Sequence, residues 1–109
     1  MVETEKTEGK KIAFIQDEML ITNPDAVPIL FHPKKEEILK LLIIREMTII
    51  DLKHATGMNP GTVKRHLTDL LDNHLVFISR EKVNEFSIVM KYYRASAKSF
   101  QINIIWPQE

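Results

Sequence analysis

Apolar positions recur at helical spacing from about Pro33 to His74, then give way from Val76 to runs of β-branched and aromatic residues. Over Pro33–Arg45, Ile38, Leu41, Leu42 and Arg45 share one helical face, and Leu39, Ile43 and Ile44 widen the apolar area nearly all round. Such a helix is covered on more than one side, and in so short a chain the second cover can be another subunit. Thr48 with Asp51 three residues on forms a capping-box pattern, and the short helix after it should turn Ile49, Leu52 and Ala55 inward. Gly57 suits a left-handed helix end, and Asn59-Pro60 caps and starts the next helix, which should run to about His74 with that histidine on the packing face. Val76–Arg80 and Ser87–Ala95 read as the strands of a hairpin, with Glu81–Phe86 between them.

The ends are less regular. Residues 1–10 are rich in Glu, Thr and Lys and read as a mobile tail. Ile12, Phe14, Ile15, Met19, Leu20 and Ile21 fit a strand or a helix equally well. Asn23-Pro24-Asp25 starts a short helix that Pro33 limits. Phe100, Ile102, Ile104 and Trp106 alternate as in a strand with one apolar face, although Phe100 and Ile104 also fit one face of a helix.

The expected fold is mainly α with a small β-hairpin wing, a winged helix-turn-helix. We divide the chain into the tail 1–10, a domain over 11–96 with an N-terminal extension, and a dimerisation segment over 97–109. A length of 109 residues fits one domain. The formal charge is zero, which argues against a non-specific nucleic-acid coat but leaves a specific binder open, because binding depends on where the cations sit. Without cysteine, disulfides, thiolate metal sites and cysteine nucleophiles are excluded. No apolar run approaches the ~20 residues that span a bilayer, and the expected location is cytoplasmic.

The chemistry concentrates on the helix after Asn59. At about 100° per residue, Val63, Leu67, Leu70 and Leu71 fall on one side and Gly61, Lys64, Arg65 and Thr68 on the other. One face packs, and the other offers two cations, a hydroxyl and a bare backbone. A recognition helix needs this division: Lys and Arg donate to guanine acceptors in the major groove, Thr reaches bases or phosphate, and Gly61 permits close approach. Arg80 and Lys82 before the hairpin turn, and Lys91 after it, suit contacts to phosphate or the minor groove, while Glu81 and Glu85 dilute that charge.

Several stretches then resemble the ArsR-type winged-helix regulators, especially their archaeal relatives. They are Phe31-His32-Pro33-Lys34-Lys35-Glu36-Glu37-Ile38-Leu39-Lys40-Leu41-Leu42, Met47-Thr48-Ile49-Ile50-Asp51-Leu52, Asn59-Pro60-Gly61-Thr62-Val63-Lys64-Arg65-His66-Leu67-Thr68-Asp69-Leu70 and Lys91-Tyr92-Tyr93-Arg94-Ala95. The resemblance implies a homodimer that binds an inverted-repeat operator in double-stranded DNA, usually to repress, with Asn59, Gly61, Thr62, Lys64 and Arg65 facing DNA. His66 matches the family's helix histidine. There are departures: His74-Leu75-Val76 stands where Gly-Leu-Val is common, the wing lacks glycine and has Asn84 as the candidate for its turn, and the founding members' cysteine metal sites have no counterpart.

His32, His54, His66 and His74 show no i,i+3 or i,i+4 pairing, and no phosphate loop or nucleophile elbow is present, so neither a metal or other cofactor nor an enzymatic activity is expected. The competing reading is a winged helix used as a protein-interaction module, for which the apolar Val83 and Phe86 near the wing tip and the apolar C-terminus speak. A homodimer is also expected from the ends themselves: Ile12, Phe14, Ile15 and Met19 before the core motif, and Phe100, Ile102, Ile104 and Trp106 after it, are too apolar to lie in water.

Overall fold

Most helix starts fall where a side chain satisfies free backbone amides. The computed structural model describes residues 15–108; the tail 1–10 and two expected dimerisation residues, Ile12 and Phe14, lie outside them. In chain order the elements are β1 (Gln16–Ile21), a 3-10 turn (Pro24–Ala26), α1 (Val27–Leu30), α2 (Pro33–Ile44), α3 (Ile49–Thr56), α4 (Pro60–Asp72), β2 (Val76–Val83), β3 (Val89–Ala95) and β4 (Ala97–Ile102). The side chain of Asn23 caps the 3-10 turn by accepting from the Asp25 amide at 3.0 Å. His32 caps α2, its Nδ1 accepting from the amides of Lys34 and Lys35. Thr48 and Asp51 form the full capping box at the start of α3, at 3.1 and 3.0 Å. Gly57 ends α3 at φ +80°, a left-handed conformation that glycine adopts without steric cost.

The core lies between α2, α3, α4 and the root of the hairpin. Ile38, Leu42, Leu52, Val63, Leu67, Leu70 and Leu75 are fully buried there. Two positions depart from the helical count. Ala55 is exposed, because α3 ends one turn after Leu52 and the buried side chain at that end is Met58, beyond the turn. His74 is exposed too, since α4 stops at Asp72 and the backbone at His74 turns left-handed, φ +61°. No described helix is long and apolar enough to cross a membrane.

The hairpin pairs β2 with β3, with an irregularity between Ile78 and Arg80. A bridge between Met47 and Tyr93, with N–H to O distances of 3.0 and 2.8 Å, ties it to the segment before α3. At Ser96 the chain passes from β3 into β4; its amide and hydroxyl donate to the carbonyls of Leu75 and His74, both at 2.8 Å. β4 then pairs in parallel with β1, Met19 opposite Phe100 and Ile21 opposite Ile102. β1 and β4 thus satisfy each other's backbone along their shared edge within one copy. Ile15, Met19 and Phe100 pack half-buried against the core. The alternation over Phe100–Trp106 is strand only as far as Ile102, so Ile104 and Trp106 lie beyond the ladder.

Candidate nucleic-acid interface

Between α3 and α4 the chain turns through Gly57-Met58-Asn59. The Thr56 hydroxyl donates to the Leu52 carbonyl at 2.6 Å and accepts from the Met58 amide at 3.2 Å. Asn59 then caps α4 by accepting from the Thr62 amide at 2.9 Å, which commits its side-chain oxygen and leaves its amide nitrogen outward. Helix α4 is seated by Val63, Leu67 and Leu70, all buried, so Gly61, Lys64, Arg65 and Thr68 are exposed together while Thr62 is half-buried. A Cβ at Gly61 would meet only the Asn59 Oδ1, at 3.4 Å. The fold therefore tolerates a methyl there, and the bare backbone faces outward. Thr68 donates to the Lys64 carbonyl at 3.0 Å, which keeps its oxygen free to accept. Among the described residues Lys64 and Arg65 make no ion pair.

A second anchor escapes sequence counting. Lys35 on α2 is buried, and its Nζ lies 3.2 Å from Asp69 Oδ2 on α4. Beside it His66 is buried with its ring centre 5.1 Å from that of His32. His66 is therefore a packing residue and is not on the outward face. Burial, then Lys35, His32 and Arg65, push its pKa below the ordinary 6.5, against a smaller opposing pull from Asp69. The folded state holds this imidazole neutral, while the unfolded chain takes up a proton below about 6.5. His66 should thus leave stability level above that pH and lower it as pH falls through 6.5 towards the depressed folded value. Glu46, whose pKa lies below its ordinary 4.5, adds its own loss only at more acid pH. Urea denaturation across pH 5 to 8 checks this, and His66→Gln should flatten the profile near pH 6.

The wing turn closes without glycine, as Asn84 was expected to allow. The side-chain oxygen of Asn84 accepts from the amides of Phe86 and Ile88 at 2.8 and 3.0 Å, and Ser87 supplies the positive φ, +62°. The cations do not form one set. Arg80 donates from Nε to Glu46 Oε2 at 2.7 Å, and its guanidinium sits 3.9 Å from the centre of the Tyr92 ring. Glu46 is fixed by the Ser79 hydroxyl at 2.6 Å, which with Arg80 holds its carboxylate ionised. Arg80 therefore ties the wing to the segment before α3. Lys82 and Lys91 are exposed without an ion pair among the described residues; Lys91 lies directly across from Glu81. Lys64 and Lys91 both line an open cleft of about 330 Å³ between α3, α4 and the wing, walled by Ile49, Ile50, Ile88 and Val89. Helix α4 and strand β3 thus present cations to one concavity.

Residues 32–76, from the cap of α2 to the first residue of β2, match the model of the bacterial regulatory protein, arsR family. No curated protein sequence matches significantly. A solution NMR structure from Mycobacterium bovis is similar: the homodimeric winged helix-turn-helix DNA-binding domain, fragment 1–100, of a possible ArsR-family transcriptional regulator. It aligns at 26% identity and a TM-score of 0.53 over 67% of this chain. The chain spans 62% of that domain's length. Residues 32–76 are thus similar to the arsR-family helix-turn-helix, and the chain around them has a winged-helix fold.

Proposed function

We propose that this chain is a sequence-specific double-stranded-DNA-binding transcriptional regulator, a cytoplasmic repressor that acts as a homodimer on an inverted-repeat operator and has no enzymatic activity. The observation that carries the reading is the division of α4: Val63, Leu67 and Leu70 are buried, and Gly61, Lys64, Arg65 and Thr68 are exposed on the other side. Asn59 and Thr62 at its N-terminus, with Lys82 and Lys91 on the wing, complete the DNA-facing set. Family and fold are those of DNA-binding regulators, and the similar M. bovis domain is homodimeric. A twofold dimer would place two α4 helices on half-sites about 34–36 Å apart.

A titration against random and operator-like duplexes over a range of salt, with RNA as competitor, tests this. Each phosphate neutralised should contribute roughly 0.9 to the log–log salt slope. Lys82→Gln, which removes two cations from a dimer, should make the slope shallower by about 1.8. Adding Arg80→Gln should change it little further, since Glu46 already holds that cation. A slope indifferent to Lys82 takes the wing off the DNA.

One feature favours a protein-interaction module instead: the wing tip exposes Val83, Phe86 and Ile88. No duplex binding at low salt would move the function to that surface.

A further inference from the structure

Two apolar features take no part in the DNA-facing surface. The first is a groove of about 230 Å³ between α1, α2 and β4, walled by Leu30, Phe31, Leu39, Ile43, Phe100 and Ile102. It is far larger than the ~30 Å³ share of one water molecule and has room for a bulky side chain. Phe31 is 64% exposed on its wall, and Ile44, next to Ile43, is 73% exposed. The charges on its rim, Glu36 and Lys40, are paired with each other at 3.1 Å, so the groove offers no unmatched charge to an ionic ligand. The second feature is the segment after β4. The Asn103 amide extends the ladder by one bond to the Ile21 carbonyl, at 2.9 Å. Beyond it Ile105 is 75% and Trp106 87% exposed, and a bond from the Gln108 side chain to the Ile105 carbonyl makes a local turn.

We propose that the groove of each copy receives the Ile105–Trp106 arm of a second copy, so that the dimer is held by reciprocal exchange of arms. This rests on the homodimer of the proposed function and specifies how it forms. The occupant follows from the chain itself. Ile102 is both the last residue of β4 and part of the groove wall, so the arm leaves the sheet at the edge of the groove. A twofold axis beside β4 then sets each arm against the other copy's groove, a closed self-complementary contact that uses both features once per subunit. Within one copy the arm turns on itself and leaves Trp106 in solvent. An unrelated partner that filled the groove would leave the indole exposed, whereas a second copy covers groove and arm together.

Trp106 is the sole tryptophan of the chain, so its fluorescence reports the arm alone. The full chain without DNA is diluted from high to low micromolar concentration, with mass followed by sedimentation equilibrium. The expected result is a blue-shifted emission, protected from iodide quenching, that appears with the dimer and disappears with it. A dimer whose Trp106 remains exposed overturns the exchange, as does a blue shift independent of concentration, which would put the arm in its own groove. Two surface variants give a second readout. Trp106→Ala and Phe31→Asp should each weaken self-association at least tenfold while keeping the native circular dichroism. Their equimolar mixture should associate better than either alone, because one arm and one groove remain intact in the mixed dimer. A mixture no better than its components overturns the proposal. A DNA titration run separately keeps this outcome distinct: duplex binding by a dimer with an exposed Trp106 sinks the exchange alone.

Discussion

Leu67→Ala is expected to destabilise the domain by about 2–5 kcal/mol, a large share of the ~5–15 kcal/mol that holds a domain of this size folded. Leu67 is 1% exposed and sits at the middle of α4 in the cluster with Ile38, Leu42, Leu52, Val63 and Leu70. Truncation removes its contacts and leaves a cavity that the surrounding helices cannot close without moving, since α2 and α4 are also tied by Lys35 and Asp69. The better helix propensity of alanine is no compensation, because leucine is nearly as good a helix former. Leu67→Met, which conserves volume, should cost less than about 1.5 kcal/mol. The check is the urea midpoint at fixed protein concentration, with an unchanged m-value showing that stability alone has moved. A loss under 1 kcal/mol would mean that α4 is not seated through this face, and the outward face would then lose its definition as well.

The division of α4 was legible because it is local. Caps at Asn23, Thr48 and Asn59, the stop at Gly57 and the spacing of Val63, Leu67 and Leu70 all act within one helix or turn, and each stands where the pattern places it. Departures occur where a partner lies far along the chain or where a helix ends early. Lys35 counts as polar by type, yet it shares a face with Ile38 and is buried because Asp69, on another helix, meets its charge. Arg80 reads as a free wing cation until Glu46, distant in sequence, is found at 2.7 Å. His74 follows the helical count onto the packing face only if α4 continues, and its left-handed backbone ends that count. The pairing of β1 with β4 joins the two ends of the domain in parallel, and no turn or spacing announces such a contact. Both segments had the apolar residues for it. What the pattern lacked was register, and with it the point at which the strand stops and Ile104–Trp106 leave the sheet.

Arg65→Ala should weaken specific duplex binding by about 1–3 kcal/mol if its guanidinium makes a bidentate contact to guanine O6 and N7. Arg65 projects from the first half of α4 between Val63 and Leu67, whose burial fixes the orientation of that turn. No carboxylate holds Arg65 among the described residues, in contrast to Arg80, so its donors remain available to a ligand. The substitution removes no buried surface, and it withdraws one of the positive charges that disfavour a protonated His66. Stability should therefore hold at neutral pH while binding falls, which separates loss of contact from loss of fold. The pattern of the loss assigns the contact. Relaxed discrimination at one base pair in each half-site identifies a base contact; an even loss across all duplexes, with a shallower salt slope, identifies a phosphate contact. Unchanged affinity for every duplex would remove Arg65 from the interface and leave Lys64 as the remaining cation on the outward face of α4.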